Sequence, residues 1–124
     1  MAFLVKGTNK IGGQVASKHN YSTTEQVVGT WIDGKPIYER TYIFNVPNRS
    51  GESTFSHNIN DFQKCIDIKY HVGTLGPQGY YPTVPNATVL YYGMNSTIIA
   101  FYFDGTQFAG QELGITIQYT KTTD

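Results

Sequence analysis

Residues 64–72, Lys-Cys-Ile-Asp-Ile-Lys-Tyr-His-Val, alternate between apolar and polar side chains at almost every step. Successive side chains of a β-strand point to opposite faces, so this period of two predicts a strand that is buried on one side and wet on the other. The members of the predicted buried face are Ile66, Ile68, Tyr70 and Val72. The members of the predicted wet face are Cys65, Asp67, Lys69 and His71.

Short segments of the same kind occupy most of the remaining chain. Residues 113–120 alternate as clearly as residues 64–72, and Asp33-Gly34 between two apolar segments is a strong signal for a β-hairpin. Turn residues separate the segments at spacings of roughly 8–12 residues, which is typical of a sandwich or barrel. The predicted strands are 27–32, 37–46, 53–59, 64–72, 88–92, 97–103 and 113–120. We therefore expect an all-β fold, an antiparallel β-sandwich of jelly-roll-like form with about seven to eight strands.

The composition agrees with this fold class and with a single domain. The chain has 124 residues, of which 15% are aromatic, with ten tyrosines and seven phenylalanines. β-branched and aromatic residues favour strands, whereas the good helix formers leucine and alanine are scarce. The length is that of one ordinary domain. We assign residues 25–124 to that domain and residues 1–24, which lack a sustained period, to an N-terminal arm or linker.

The charge balance argues against several classes of partner. The chain has nine basic and nine acidic residues, and charged residues make up only 15% of it. Nucleic acids and anionic membranes require a basic surplus, so neither is expected as a partner. No apolar run approaches the roughly 20 residues of a membrane-spanning helix, and no membrane insertion is expected. The single cysteine and three scattered histidines predict neither a disulfide framework nor a metal site, and no cofactor is expected.

The residues that could carry chemistry are expected to have structural roles. His57 shares a predicted strand face with Phe55 and Ile59, which indicates a hydrogen-bonded histidine in the core or at an interface. Cys65 is expected to be an inert, partly buried thiol. Trp31, beside the Asp-Gly hairpin, is expected to pack in the core or on the hairpin. No nucleophile–base pair and no pair of acids is evident in the sequence, so an enzyme is not expected.

Residues 73–86, Gly-Thr-Leu-Gly-Pro-Gln-Gly-Tyr-Tyr-Pro-Thr-Val-Pro-Asn, are too rich in glycine and proline for regular structure. A loop of this length in a compact domain is uncommon and is often functional. Flat aromatic rings beside amide groups suit an uncharged sugar, which stacks on the rings and forms hydrogen bonds at their edges. The predicted glycan-binding residues are Gln78, Tyr80, Tyr81 and Asn86. The alternative is that the tyrosines fold back over the end of the sandwich or meet the same loop of a neighbouring chain.

Several strings of residues resemble a known group of proteins. The first is residues 21–38, Tyr-Ser-Thr-Thr-Glu-Gln-Val-Val-Gly-Thr-Trp-Ile-Asp-Gly-Lys-Pro-Ile-Tyr, and the last is residues 117–124, Ile-Gln-Tyr-Thr-Lys-Thr-Thr-Asp. Residues 55–59 and 66–68 are similar to the middle of the same domain. From residue 21 to residue 124 the chain resembles a domain of bacteriophage and prophage structural proteins, typically those of gut bacteria and other Gram-positive hosts. There it often forms the C-terminal part of a tail, fibre or baseplate protein.

The resemblance implies a virion component, a β-sandwich head domain at the tip of a tail or fibre that engages the host surface. Such domains are commonly trimeric and share no ligand motif, so the resemblance assigns no binding residue. We expect a receptor-binding domain for host-surface carbohydrate, located in the virion among other virion proteins. A purely architectural protein, such as a capsid decoration or a tail-assembly element, is the alternative. A small polysaccharide hydrolase is the least favoured of the three functions.

A homotrimer is also expected from the two faces of residues 97–103. Bulky residues point in both directions, with Ile98, Ala100 and Tyr102 opposed to Thr97, Ile99, Phe101 and Phe103. A two-sheet sandwich has one interior, so some of these side chains need a loop or another chain to cover them. The alternative is a monomer in which residues 73–86 provide that cover.

Overall fold

Residues 19–74 and 89–124, which the computed structural model describes, form seven β-strands and no helix. The strands are β1 (Gln26–Thr30), β2 (Pro36–Asn45), β3 (Gly51–Ser56), β4 (Phe62–Val72), β5 (Val89–Met94), β6 (Ile98–Phe103) and β7 (Glu112–Lys121). The predicted glycan-binding residues Gln78, Tyr80, Tyr81 and Asn86 lie outside the described residues. The same is true of residues 1–18 of the predicted arm.

The strands form two antiparallel sheets, which confirms the predicted all-β sandwich-like fold. One sheet has the order β1-β2-β7-β4, and the other has the order β3-β6-β5. From β2 to β5 the chain changes sheet at every connection, so consecutive strands lie in different sheets. Strand β7 then returns between β2 and β4, and β6 lies between β3 and β5. This winding is that of a jelly-roll-like sandwich.

The core lies between the two sheets and is built from the faces that the alternation predicted. Strand β7 contributes four fully buried side chains, those of Leu113, Ile115, Ile117 and Tyr119. Strand β6 contributes Ile99, Phe101 and Phe103 from the other sheet. Aromatic pairs join the sheets, since Tyr70 meets Phe101 edge to face with ring centroids 5.0 Å apart. Such a pair adds about 0.5–1.5 kcal/mol beyond the burial of its surface.

The hairpin between β1 and β2 forms at Asp33-Gly34 as predicted. Trp31 N donates to Lys35 O over 2.8 Å, and Gly34 N donates to Trp31 O over 2.9 Å. Gly34 has a φ of 90°, a conformation that glycine adopts without steric cost. The indole ring of Trp31 lies near Lys64, whose Nζ is 5.6 Å from the ring centroid. Trp31 thus belongs to the hairpin through its backbone, while its ring lies beside a lysine of β4.

Strand β4 departs from the predicted alternation in its N-terminal half. Its pairing with β7 is irregular between Cys65 and Asp67, where one extra residue is inserted. The bulge leaves Cys65 opposite Tyr119 and packed against the core, whereas Asp67 lies opposite Gln118 on the other face. The prediction that Cys65 and Asp67 share the wet face was wrong, because one extra residue reverses the alternation. Beyond the bulge, Ile68, Tyr70 and Val72 lie on the core side as predicted.

Candidate functional site

The β1-β2-β7-β4 sheet has one face that points away from the core, and we call it the outer face. The strand registers place its residues in three rows, each with one residue from β2, one from β7 and one from β4. The open row is Ile43–Gly114–His71, the middle row is Thr41–Thr116–Lys69, and the covered row is Glu39–Gln118–Asp67.

The lead-in segment, residues 19–25, and the start of β1 enclose the covered row at Glu39, whereas Asp67 at its other end is exposed. Glu39 is completely buried although it lies on the outer face. His19 Nε2 lies 2.8 and 3.0 Å from the two carboxylate oxygens of Glu39, and Gln118 Nε2 donates to one of them over 2.9 Å. Gln26 Nε2 donates to the other oxygen over 3.4 Å. Because three residues supply donors, the burial of this carboxylate is compensated.

Two opposing influences act on the pKa of Glu39. Burial raises it, because the charged carboxylate loses water. The hydrogen bonds from Gln118 and His19, the positive charge of protonated His19 and the hydrogen bond from Gln26 all lower it, and together they outweigh burial. The pKa of Glu39 therefore lies below its ordinary value.

Further contacts attach the lead-in segment to the sheet. Thr41 N donates to Ser22 O over 2.8 Å. Tyr21 reaches across to β4, where Lys69 Nζ donates to its hydroxyl over 2.9 Å and lies 4.9 Å from the ring centroid. The hydrogen bond to Tyr21 raises the pKa of Lys69, so the lysine stays charged at neutral pH. Residues 19–24, the described part of the predicted arm, thus pack on the domain.

The side chains of the open row remain exposed to solvent. The side chain of Ile43 is 51% exposed, and His71 is partly exposed beside Glu112, with Nε2 and Oε2 2.8 Å apart. A Cβ atom on Gly114 would lie 2.1 Å from Cε1 and 2.7 Å from Nδ1 of His71. The imidazole ring therefore rests on the β7 backbone, in space that any other residue at position 114 would occupy.

A groove of about 360 Å³ lies over the open and middle rows. This volume is near the lower end of the roughly 300–1,000 Å³ that small-ligand sites occupy. The lining residues are Tyr21, Thr41, Lys69, Tyr70, His71, Gly114 and Thr116. Thr41 Oγ1 and Thr116 Oγ1 are 2.9 Å apart and share a hydrogen bond. The groove thus combines ring surfaces with hydroxyl and ammonium groups.

Sequence reasoning did not single out this groove. Lys69 and His71 were placed correctly on the wet face of their strand, and Thr116 alternates with the core residues of the last strand. However, nothing in the sequence pattern says that β7 lies between β2 and β4, which is what brings Thr41, Thr116 and Lys69 into one row. Pairing across the sheet was the missing information.

His57 is buried and hydrogen-bonded, and Cys65 is partly buried, as the sequence predicted, although Cys65 lies on the other face of its strand. His57 is buried, with Ile59 N donating to its Nδ1 over 3.1 Å and its Nε2 lying 2.9 Å from Asn95 O. Nδ1 must accept and Nε2 must donate, so these bonds select one neutral tautomer. Burial and the charge of Asp67 raise the pKa of the Cys65 thiol. The thiol is therefore protonated and unreactive at neutral pH.

The first and last strings of the resemblance meet in one cluster, which we call the clasp. One carboxylate oxygen of Glu25 accepts a hydrogen bond from the Tyr119 hydroxyl, and the other lies 2.7 Å from Lys121 Nζ. The Tyr38 hydroxyl donates to Asp124 Oδ2 over 2.6 Å. Burial and the bond to Glu25 raise the pKa of Tyr119, which keeps its phenol neutral. The clasp residues bind one another, so these two strings have a structural role.

Comparison with known proteins adds no family to these observations. No protein-family model matches the chain, and no curated protein or solved structure matches it. Within residues 19–74 and 89–124, no group of three or more histidine, cysteine, aspartate or glutamate residues is placed to bind a metal ion. That part of the chain also contains no helix of the length and apolarity that crossing a membrane requires. The groove on the outer face is the candidate site because ring surfaces, hydroxyls and an ammonium group line it together.

Proposed function

We propose that the chain is a bacteriophage virion protein, a receptor-binding domain at the tip of a tail or fibre that engages host-surface carbohydrate. The observation that carries the binding function is the groove over the open and middle rows. It presents the hydroxyls of Thr41 and Thr116 and the ammonium of Lys69 beside ring surfaces. Oligosaccharides are recognised by this combination of flat apolar surface and surrounding hydrogen-bonding groups.

The viral part of the proposal is supported by the resemblance and by the position of its strings. Residues 21–38 and 117–124 join in the clasp, which attaches the hairpin to the end of β7. The groove lies outside both strings except for Tyr21. A shared scaffold with a separate recognition surface is what a family of adhesins for different receptors requires.

The proposal includes a homotrimer assembled with other virion proteins. Ile98, Ala100 and Tyr102 lie on the face of β6 that points away from the core, and each is half-buried in the single chain. A second chain would complete the burial of this face. Static light scattering at micromolar concentration distinguishes the alternatives. Three times the chain mass of 13.9 kDa supports the trimer, and a stable monomer contradicts it.

Binding of the purified, fluorescently labelled protein to Gram-positive gut bacteria tests the receptor function. Periodate cleaves vicinal diols in sugars, whereas a protease removes surface proteins and leaves the glycans. We expect binding to at least one strain, loss of that binding after periodate and retention after protease. Binding that is lost with protease and retained after periodate, or no binding to any strain, contradicts a carbohydrate receptor.

Antibody labelling of virus particles that contain the chain tests its location. Label at the tail or fibre tip supports the receptor-binding domain. A lattice of label over the head would indicate a capsid decoration protein, and label along the tail tube would indicate an assembly element. Either of those two results would replace the receptor-binding proposal with an architectural one.

A further inference from the structure

We infer that the groove over the open and middle rows binds an uncharged sugar unit of a host-surface glycan. This inference rests on the proposed function, and it narrows the ligand of that groove to an uncharged sugar and names the groups that would hold it. Three features of the outer face support the inference. They are a flat ring surface, hydrogen-bonding groups with unused donor or acceptor positions, and the balance of charge around the groove.

The platform is the imidazole ring of His71. One side of the ring lies against Gly114, where a Cβ atom would be 2.1 Å from Cε1 of the ring. Glu112 fixes the orientation through the 2.8 Å contact between Oε2 and Nε2. The ring also lines the groove, and Ile43 lies on the other side of Gly114 with half of its side chain exposed. The C–H face of a pyranose ring can pack on this ring and the neighbouring aliphatic side chain.

The hydrogen-bonding groups lie in the row next to the platform. A hydroxyl group has one donor and two acceptor positions, so the bond between Thr41 and Thr116 leaves capacity on both side chains. Lys69 has three N–H donors, and the hydroxyl of Tyr21 accepts from one of them. Sugar hydroxyls both donate and accept, so they can bond to the threonine hydroxyls and accept from the ammonium group.

The charges around the groove favour an uncharged ligand. The carboxylates near the groove outnumber its lysine: they are Glu39, Asp67 and Glu112, against Lys69. Glu39 and Glu112 are each paired with a histidine, so even with both histidines counted as positive the surroundings of the groove carry no surplus of positive charge. A carboxylated or phosphorylated sugar would therefore find no surplus of positive charge to bind, whereas an uncharged sugar does not need one.

Tyr21 forms the wall of the groove next to the covered row. It comes from the lead-in segment, and its position depends on Lys69 and on the ring of His19, whose centroid is 4.4 Å away. The groove therefore has this wall only when the lead-in segment lies on the sheet. Its volume of about 360 Å³ suits about one or two monosaccharide units.

The test is a titration of the full-length, ¹⁵N-labelled protein followed by NMR. The uncharged probes are N-acetylglucosamine, galactose and rhamnose, and the acidic probes are glucuronic acid and N-acetylneuraminic acid, each to about 10 mM because single sugars bind in the millimolar range. We expect an uncharged probe to shift the amide signals of Thr41, Lys69, His71, Gly114 and Thr116. The acidic probes should shift them less.

Two variants, one in the groove and one outside it, test whether the threonine hydroxyls bind the sugar. The double variant Thr41→Val and Thr116→Val keeps the shape of both side chains and removes both hydroxyls, so affinity should fall at least about fivefold. Thr54→Val is the control, because Thr54 is an exposed threonine on β3 of the other sheet. Its affinity should equal that of the unmodified protein.

The outcomes separate this inference from the proposed function. A sugar that shifts residues 75–88 and not the groove would overturn the groove assignment and leave the receptor function standing. Preferential binding of the acidic probes would overturn the ligand class. If no sugar shifts the groove while the labelled protein still binds periodate-sensitive sites on cells, the groove inference is wrong and the function remains. If cell binding also fails, both are wrong.

Discussion

The open row and the covered row of the outer face belong to the same three strands, yet their polar groups have opposite surroundings. In the covered row, Glu39 is fully buried and accepts hydrogen bonds from His19, Gln118 and Gln26. In the open row, Ile43 and His71 remain exposed above Gly114. The strand registers are continuous between the two rows. The lead-in segment lies over one row and stops short of the other, and this explains the difference.

A wet strand face can thus contain two kinds of polar group. Where a short covering segment is added, the polar groups bind one another and stabilise the fold, since each buried donor and acceptor needs a partner. Where the cover ends, the same types of side chain keep free hydrogen-bonding capacity and can bind a ligand. The groove lies at this boundary, with Tyr21 as the last residue of the cover.

The largest effect is expected from removing the carboxylate of the covered row. Glu39→Ala leaves the donors of His19, Gln118 and Gln26 without their shared acceptor, so the free energy of unfolding should fall by about 2–3 kcal/mol. Urea denaturation measures the change. Glu52→Ala on β3 is the control, because this exposed glutamate should cost less than about 0.5 kcal/mol. Equal effects of the two substitutions would show that the covered row is not a stabilising cluster.

The pH dependence of stability should identify the same carboxylate. The pKa of Glu39 is lowered on folding, so the unfolded chain binds its proton more tightly than the folded chain does. The contribution is fully present above the ordinary pKa of about 4.3 and is lost as the pH falls through the lower folded value. Denaturation of the unmodified protein and of Glu39→Gln at pH 6 and pH 3 should show a smaller difference at pH 3. If the two proteins differ in stability by the same amount at both pH values, the pKa of Glu39 is not lowered on folding.

Gly114→Ala should displace the ring of His71 in the open row and lower the free energy of unfolding only slightly. The new Cβ would lie 2.1 Å from Cε1 of His71, so the ring must swing away from Glu112. The clash involves the exposed end of a side chain, and we expect a stability change within about 1 kcal/mol. The imidazole signals of His71 in NMR spectra should shift, and sugar binding should be lost. Gly93→Ala is the control, since a Cβ there would meet nothing within 4 Å.

The smallest effect is expected from Ile43→Ala in the open row. Half of this side chain is already in water, so the loss should be below about 0.5–1 kcal/mol by thermal or urea denaturation. The same substitution at Ile115, which is fully buried in the adjacent strand, should cost about 2–5 kcal/mol. A large loss at position 43 would show that this residue is covered in solution, as an interface between chains would require.

The fold was predictable because each strand has its own local signature. The alternation in residues 113–120 was sufficient to identify the buried face of β7, and Asp33-Gly34 was sufficient to place the hairpin. Cys65 shows the limit of this reasoning. A bulge inserts one residue between Cys65 and Asp67, and the change of face cannot be read from a pattern that looks regular on both sides of it.

The candidate site was only partly predictable, because it depends on contacts between distant residues. The wet faces of the strands were visible in the sequence, so Lys69 and His71 were available as surface groups, whereas the burial of Thr116 in the middle of the sheet was not visible. The burial of Glu39 was not visible, since it lies on a wet face and is covered by His19, which is distant in sequence. The predicted glycan-binding residues in the loop 73–86 remain a prediction beside the groove.

By itself, the sequence determined the fold class, the hairpin position and the side of most strands that faces the core. Those properties follow from the two-residue period of the strand and from the conformational preferences of glycine. The tertiary structure alone decided that β7 lies between β2 and β4, that the lead-in segment covers Glu39, and that the open row is left beside a groove. These features depend on which surfaces meet after the strands have formed, and long-range pairing has no local signature in the chain.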